Sequence, residues 1–241
     1  MRNVLTIARR ELMAYLQSPV GYVIVAVLLL IDGLLFNAFA LGAGAHLSTN
    51  VLQQFFHFSS GVAVIAAILL SMRLFAEERQ IGTMVLLRTA PVSEWEIVAG
   101  KFLSVLVFLG GMIALTVYMP LLIMVNGKVT IGHILIGYLG VLLIGTSAIA
   151  IGIFASALTR SQVLAAIVAG AIFVSLLICW LLARVTEPPL SSVFEHLAIH
   201  NLNFRPFKEG VLHLRHVVYY LSVTYLFLLL SVRALAARRW S

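Results

Sequence analysis

Residues 73–101 carry eight charged side chains between two long apolar runs, and this contrast constrains the fold more than any other feature of the chain. The apolar runs cover residues 61–70 and 102–124. A charge at the centre of a bilayer costs roughly 2.5–3.5 kcal/mol on insertion scales, so residues 73–101 are predicted to lie outside the hydrocarbon. We call this stretch the charged island.

The composition indicates that the apolar runs cross a membrane. The chain of 241 residues is 62% hydrophobic and 10% charged, whereas soluble domains are about half apolar and about a quarter charged. The runs are continuous, as in membrane helices, and do not alternate as barrel strands do. The lone Cys179 lies in an apolar run, which excludes a disulfide framework. The fold class is predicted to be all-α, a single polytopic membrane domain over residues 1–241.

Six membrane-spanning helices are predicted, with two distinctive segments outside them. Residues 1–19 are basic and amphipathic, which predicts an interfacial helix with Tyr15 as an anchor and a bend at Pro19. Its predicted apolar face is formed by Leu5, Ala8, Leu12 and Leu16. Residues 184–216 are too polar to span and too apolar for a free loop, which predicts an extracytoplasmic re-entrant segment of short helices. The predicted spans are 20–41, 58–74, 102–125, 133–158, 162–183 and 217–235.

The distribution of lysine and arginine predicts the orientation. Six spans place both termini, the charged island and the turn 159–161 on one face, which carries eleven of the 16 lysine and arginine residues. The other face carries the remaining five. The positive-inside rule therefore predicts that the termini and the island are cytoplasmic, and it explains the net charge of +7 without nucleic acid.

Turn and cap signals in the charged island favour folded structure. Gly82 and Thr83 offer a turn and an N-cap, and a short helix is predicted to follow with Met84, Leu87 and Arg88 on one face. Two interpretations stay open. The island is either a solvated connector or a docking surface for a soluble partner.

The second half of the island contains a stop signal and a start signal. Pro91 ends the short helix, and Ser93 and Glu96 have the spacing of a capping box that opens the next helix. A plain connector between two spans needs only a few residues. The island is therefore predicted to contain a helix, a short amphipathic helix, a turn and another helix.

Two patterns of small residues leave alternatives open. Ala148, Gly152 and Ser156 recur at intervals of four residues, as do Ala166 and Gly170. Such faces allow helices to approach closely in lipid. They are interpreted either as packing within one subunit or as a subunit interface.

Asp32 and the histidines are the candidate functional residues inside or beyond the spans. Asp32 is the only aspartate and lies in the first span, so it either lines a transport pathway or hydrogen-bonds to a neighbouring helix. His196 and His200 are spaced to face the same way on a helix, but a metal site needs three or four convergent ligands, and the sequence shows no convergence. All seven histidines lie on the predicted outer side: His46, His57, His133, His196, His200, His213 and His216.

The stretch FAEERQIGTMVLLRTAPVSEWEIVAGKFL resembles the cytoplasmic loop of type-2 ATP-binding cassette (ABC) exporter permeases. The start of the chain, with Arg10-Glu11 and Ser18-Pro19, is similar to the elbow helix of that family. The tail RHVVYYLSVTYLFLLLSVRALAARRW is similar to the last span of the branch that includes gliding-motility and nitrous-oxide-reductase maturation permeases. The loop residues that carry the resemblance are Glu77, Glu78, Gly82, Thr83, Leu86, Leu87, Pro91, Glu96, Gly100 and Lys101.

The resemblance implies the permease subunit of an exporter in a prokaryotic inner membrane. It implies a coupling helix between spans two and three that docks a cytoplasmic ATPase, and an elbow helix that includes Arg9, Arg10 and Glu11. The docking residues would be Glu77, Glu78, Gly82, Thr83, Met84, Leu87, Arg88 and Pro91.

The resemblance also implies the partners. The chain has no Gly-x4-Gly-Lys-Ser/Thr motif, so ATP and magnesium are expected in the partner ATPase and no cofactor is expected here. A second permease copy or a homologous permease would complete the transporter, with an extracytoplasmic auxiliary protein as a further candidate partner. The alternative function is a membrane anchor or mechanotransmission subunit that couples an ATPase to an extracytoplasmic partner without passing substrate. An integral membrane enzyme is disfavoured because the sequence has no His-Glu-x2-His motif and no paired acids around its single aspartate.

Overall fold

The computed structural model describes residues 2–40, 48–83, 92–127 and 129–237, and these residues form α-helices with short connections. No strand occurs in these ranges. The all-α prediction is confirmed. The helices are α1 Arg2–Gln17, α2 Pro19–Leu35, α3 Ser48–Ser71, α4 Arg73–Ile81, α5 Glu94–Leu115, α6 Tyr118–Asn126, α7 Ile131–Leu158, α8 Gln162–Val185, α9 Leu190–Leu197, α10 Arg205–Lys208 and α11 Leu214–Ala237, with a π-helical turn Phe36–Ala40 after α2.

Within the described ranges, six segments are long and apolar enough to cross a membrane. They follow the predicted order, and the helical segments that contain spans two and three extend beyond the predicted bounds of 58–74 and 102–125. The second segment covers Ser48–Ile81 and the third covers Glu94–Val125. Hydropathy alone did not show these extensions because the beginnings of α3 and α5 and most of α4 are polar, yet these residues are helical.

The helix α7 lies at the centre of the bundle, where it contacts α3, α5, α8 and α11. Its small residues allow this central position, because a Cβ atom added at several of its glycines would overlap a neighbouring side chain. These glycines and the neighbours they meet are Gly137 with Phe56, Gly140 with Phe207, Gly145 with Leu109, and Gly152 with Ser71.

The two patterns of small residues differ in their surroundings. Ala148 and Ser156 are fully buried within this chain, and Gly152 contacts α3. The α7 pattern therefore serves packing within one subunit. A Cβ atom added at Gly170 on α8 would meet open space, so none of the described residues packs against the α8 pattern at this glycine.

Helix α1 packs along α5 and keeps part of its predicted apolar face exposed. Leu5 and Leu16 are exposed, whereas Ala8 of the same face and Tyr15 are buried. The position of the apolar face in the membrane interface stays a prediction. The prediction that Tyr15 is an interfacial anchor is wrong: its hydroxyl donates to the Leu70 carbonyl oxygen at 2.7 Å, inside the bundle. The bend after α1 is confirmed, since α2 begins at Pro19.

The segment between α8 and α11 contains short helices, as predicted. Ile199, Phe204 and Phe207 are buried against the bundle, while Val193 and Leu197 remain exposed. Its insertion into the outer leaflet stays a prediction. We call the end of the bundle that carries α1, α4, the beginning of α5 and the turn 159–161 the island face, and the end with residues 186–213 the opposite face.

Candidate functional site

Residues of the charged island and of α1 surround one buried ammonium group, that of Lys101. This residue is fully buried, although its side chain is charged and is followed on α5 by a long apolar run. Its Nζ donates to Glu11 Oε1 at 3.0 Å, to Glu78 Oε1 at 2.8 Å and to the Leu74 carbonyl oxygen at 2.9 Å. The ammonium also lies 5.2 Å from the centre of the Phe75 ring. All three hydrogens of the ammonium therefore have acceptors.

This cluster joins three helices that are distant in sequence. Glu11 comes from α1, Glu78 from α4 and Lys101 from α5. Arg10 adds a second cation, 2.8 Å from Glu11 and 3.5 Å from Glu78. The two cations balance the two carboxylates, so removal of any one member leaves an uncompensated charge in a largely desolvated place.

The electrostatics of the cluster favour the charged form of Glu11. Burial alone would raise the pKa of the Glu11 carboxyl, but Lys101 and Arg10 together hold that pKa below its usual range. A hydrogen bond to Glu11 raises the pKa of the Arg10 guanidinium. The joint between α1 and α5 is therefore an ion pair at neutral pH.

Only one of the two carboxylate oxygens of Glu78 accepts a hydrogen bond from the described residues. Its Oε1 accepts from Lys101, whereas its Oε2 is buried without a hydrogen-bond partner among the described residues. The carboxyl lies beside an open cleft of about 180 Å³ that is also lined by Arg73, Glu77 and Thr83. Burying such an oxygen is costly, so this side of α4 is the least satisfied part of the cluster.

Helix α4 has a second attachment, to α7. The Ser156 hydroxyl accepts from the Phe75 and Ala76 amides, each at 3.0 Å, and donates to the Met72 carbonyl oxygen at 2.8 Å. These amides belong to the first turn of α4, whose N–H groups have no partner within the helix. Ser156 thus provides the side-chain cap that α4 lacks in its own sequence.

The last turn of α7 is in turn capped from α4. The Arg79 guanidinium donates to the carbonyl oxygens of Thr159 at 2.7 Å and Ala157 at 2.6 Å. A cation at a helix C-terminus satisfies free carbonyl groups and complements the helix dipole. Helix α4 and the turn 159–161 therefore form one unit.

The edges of the charged island follow the sequence prediction. Gly82 ends α4 in the left-handed region with φ of 79°, which a glycine adopts without strain. The capping box at the start of α5 is confirmed: the Ser93 hydroxyl accepts from the Glu96 amide at 3.3 Å, and the Glu96 carboxylate accepts from the Ser93 amide at 3.1 Å. Asn3 of α1 donates to the same carboxylate at 3.2 Å.

The remaining predicted docking residues are placed in part. Glu77 accepts from Arg73 at 2.9 Å, and the Thr83 hydroxyl lies 3.4 Å from the Glu78 carbonyl oxygen. Arg9 is exposed on α1. The predicted short helix with Met84, Leu87, Arg88 and Pro91 lies outside the described residues.

Sequence reasoning placed Ser156 only in a pattern of small residues and Lys101 only in the family resemblance, and it gave Arg79 no role. Lys101 offered a signal, because a lysine just inside a long apolar run needs a partner when the run is helical. The hydrogen bonds of Ser156 and Arg79 had no signal in the sequence, since their partners are main-chain groups about 80 residues away.

Within the first span, Asp32 is buried and accepts a hydrogen bond from Ser59 on α3 at 3.1 Å. This contact matches one of the two interpretations, a hydrogen bond to a neighbouring helix. A role in a transport pathway stays a prediction.

The suggestion that His196 and His200 share a helix face is wrong. Helix α9 ends at Leu197, so His200 lies beyond it. His196 is exposed and its Nε2 contacts Arg215 at 2.6 Å, whereas His200 points into the bundle. The described ranges contain no group of three or more histidine, cysteine, aspartate or glutamate side chains placed to hold a metal ion.

His200 fastens the segment of the opposite face to α3. Its Nε2 lies 2.8 Å from the Ser60 hydroxyl, and its ring stacks on Phe204 with 5.1 Å between centres. Burial lowers the pKa of His200 to about 4, and the nearby His57 and Lys208 act in the same direction against a hydrogen bond to Asn201. A neutral His200 is therefore part of the packed structure.

The sequence of the whole bundle matches one known family. The family described as ABC-2 family transporter protein matches residues 5–237, from α1 to the end of α11. This chain belongs to the ABC-2 transporter family. No curated protein matches the sequence.

Membership of the ABC-2 family supports a permease role in an ABC transporter. Members are typically non-catalytic membrane subunits, and the six apolar segments fit a multi-pass membrane protein. The ABC-2 match includes every residue of the Lys101 cluster. The charged contacts of the island face are therefore part of the permease itself.

Proposed function

We propose that this ABC-2 permease couples ATP hydrolysis by a separate ATPase subunit to export of a substrate across the prokaryotic inner membrane. The charged island would be the cytoplasmic docking loop, and residues 84–91 would hold the coupling helix. The observation that carries the proposal is the Lys101 cluster, because it fixes the helix leading into the loop to both α1 and α5. A displacement of the loop would therefore be transmitted through α4 to α1 and α5.

The proposed transmission has two branches. Through Glu78 and Lys101, a displacement of α4 is passed to the elbow helix α1 and to α5. Through Ser156 and Arg79, the same displacement is passed to the central helix α7. ATP binding would then shift the population of bundle conformations by favouring the state in which α4 fits the closed ATPase pair.

The assembly would contain two permease chains and two ATPase subunits, with ATP and magnesium bound in the ATPase. Helices α2, α8 and α11 carry many exposed apolar side chains, which lipid or a second permease copy would cover. Both termini would be cytoplasmic, as the lysine and arginine distribution predicts. The tail of the chain is similar to that of gliding-motility and nitrous-oxide-reductase maturation permeases, which suggests that this permease belongs to the same branch of the family.

The experiment is co-purification of the permease with the ATPase encoded beside it, followed by vanadate-sensitive ATPase and transport assays. Met84→Asp and Arg88→Glu are expected to release the ATPase, because each alters the predicted docking face. Lys101→Met is expected to keep the ATPase bound but to lower transport per ATP hydrolysed. Arg205→Glu on the opposite face is the matched charge-reversal control and should change neither.

A permease that purifies alone, or a partner that tolerates both loop substitutions, would contradict the docking proposal. If ATPase coupling is intact but no substrate crosses the membrane, the mechanotransmission alternative replaces export.

A further inference from the structure

An open cleft of about 450 Å³ lies on the opposite face, between the beginning of α3 and the short helix α10. It is distinct from the Lys101 cluster, and neither the family match nor the proposed coupling assigns it a role. Its lining residues are Asn50, Gln53, Gln54, His57, Phe58 and Lys208. The side chains offer three amides, an imidazole and an ammonium, without a carboxylate.

The amides are arranged by the helix. Asn50, Gln53, Gln54 and His57 are spaced by three and four residues, so they form one stripe on the first three turns of α3. Helix α3 has 24 residues, which is about 36 Å of helix against a hydrocarbon core of about 30 Å. Its other end meets α4 at the island face, so the beginning of the stripe is expected near the lipid headgroups of the opposite face.

Lys208 is held in place by its main chain. Its carbonyl oxygen lies 2.8 Å from His133 Nε2, and the neighbouring Phe207 is buried against α7 at Gly140. The backbone of α10 is thus fixed, while the ammonium group remains at the cleft.

Lys208 also differs from the other described cations of this face. Arg205 pairs with Glu209 at 2.8 Å, Arg215 contacts His196, and Arg184 stacks on Trp180. No carboxylate of the described residues lies within 4 Å of the Lys208 ammonium. An unpaired cation beside several amide donors is the arrangement that recognises an oxygen-rich anion.

We propose that this cleft binds a phosphate group, with Lys208 supplying the charge and the amides of Asn50, Gln53 and Gln54 supplying hydrogen bonds. The phosphate comes either from the headgroup of an anionic phospholipid or from a soluble phosphate ester. Binding needs no ATPase partner, so its outcome is independent of the proposed coupling.

The test uses the purified full-length chain. Glycerol 3-phosphate is the soluble probe, measured by isothermal titration calorimetry in detergent. Nanodiscs of phosphatidylcholine with and without phosphatidylglycerol are the lipid probe, with the retained lipid identified by native mass spectrometry. Lys208→Gln is expected to weaken binding at least tenfold, and Gln53→Ala with Gln54→Ala several-fold. Arg205→Gln, on the same short helix but outside the cleft, is the matched control and should bind like the wild type.

The two probes separate the sources. Calorimetric binding of glycerol 3-phosphate that depends on Lys208 assigns a soluble ester, whereas Lys208-dependent retention of phosphatidylglycerol alone assigns a headgroup. Equal binding by the wild type and Lys208→Gln, equal loss in Arg205→Gln, or no binding of either probe would overturn the proposal. Thermal unfolding of each variant excludes misfolding as the cause.

Discussion

Replacement of Lys101 by methionine is the sharpest perturbation of the island face. The change keeps much of the apolar volume but removes an ammonium whose side chain is 1% exposed. It leaves the carboxylates of Glu11 and Glu78, which are only 15% and 14% exposed, close to each other. Arg10 remains, yet its side chain is 62% exposed and cannot replace the central cation.

The expected cost follows from this geometry. Breaking a buried ion pair by removing one partner typically costs about 3–5 kcal/mol. Since Arg10 still contacts both carboxylates, we expect the lower end, about 3 kcal/mol, for the detachment of α1 from the bundle. The double variant Lys101→Met with Glu78→Gln should lose less than the sum of the single variants, because it leaves a balanced Arg10–Glu11 pair at 2.8 Å.

Hydrogen–deuterium exchange of α1 in nanodiscs measures this cost directly. A change of about 3 kcal/mol corresponds to roughly 150-fold faster exchange of the amides protected in α1. Glu209→Gln, which removes an exposed carboxylate on the opposite face, is the control and should leave α1 unchanged. Acceleration of less than about fivefold in Lys101→Met, or strict additivity in the double variant, would refute the role given to this charge cluster.

Three further changes test the packing around α7 and the opposite face. Ser156→Ala leaves two amides at the start of α4 without an acceptor, so exchange of α4 should show a loss of about 1–3 kcal/mol. The methyl group of Gly152→Ala overlaps Ser71, so this variant should lower the free energy of unfolding by about 1–3 kcal/mol. The control Gly170→Ala places its methyl group in open space and should be neutral or slightly stabilising. Equal effects of the two variants on thermal unfolding would contradict the packing described for α7. Because the pKa of His200 is about 4 in the fold against 6.5 when exposed, the stability of residues 198–208 should be full above pH 6.5 and fall by about 3 kcal/mol as the pH drops to 4. His200→Gln should flatten this dependence in exchange rates corrected for intrinsic pH effects, and an unchanged slope would contradict the buried neutral ring.

Composition and hydropathy were sufficient to predict the all-α membrane fold and the number of apolar segments, and the spacing of Ser93 and Glu96 was sufficient to predict the capping box. These features are local: a long apolar helix or an N-cap is encoded within a few turns of sequence. The bounds of the second segment were not predictable in this way, because polar residues such as Gln53 and Gln54 continue a helix without being apolar.

The contacts that build the site are non-local, which is why the sequence missed most of them. The amphipathic pattern of α1 predicted an apolar face with Leu5 and Leu16, which stay exposed, whereas the side that packs on the bundle carries Tyr15 and the largely buried Glu11. A pattern of apolar residues identifies the side of a helix that avoids water, and in a membrane protein that side can face lipid. The side that faces the bundle was marked by polar residues with distant partners.

The joint at Ser156 limits how α4 can move relative to α7. Its hydroxyl has one hydrogen to donate and two lone pairs to offer, and all three are used by Met72, Phe75 and Ala76. A movement of the first turn of α4 away from α7 must therefore break at least one of these bonds, with no spare partner on the serine to replace it. The joint is expected to switch between a few discrete angles, so that force on the loop is stored until a bond yields and is then released in one step.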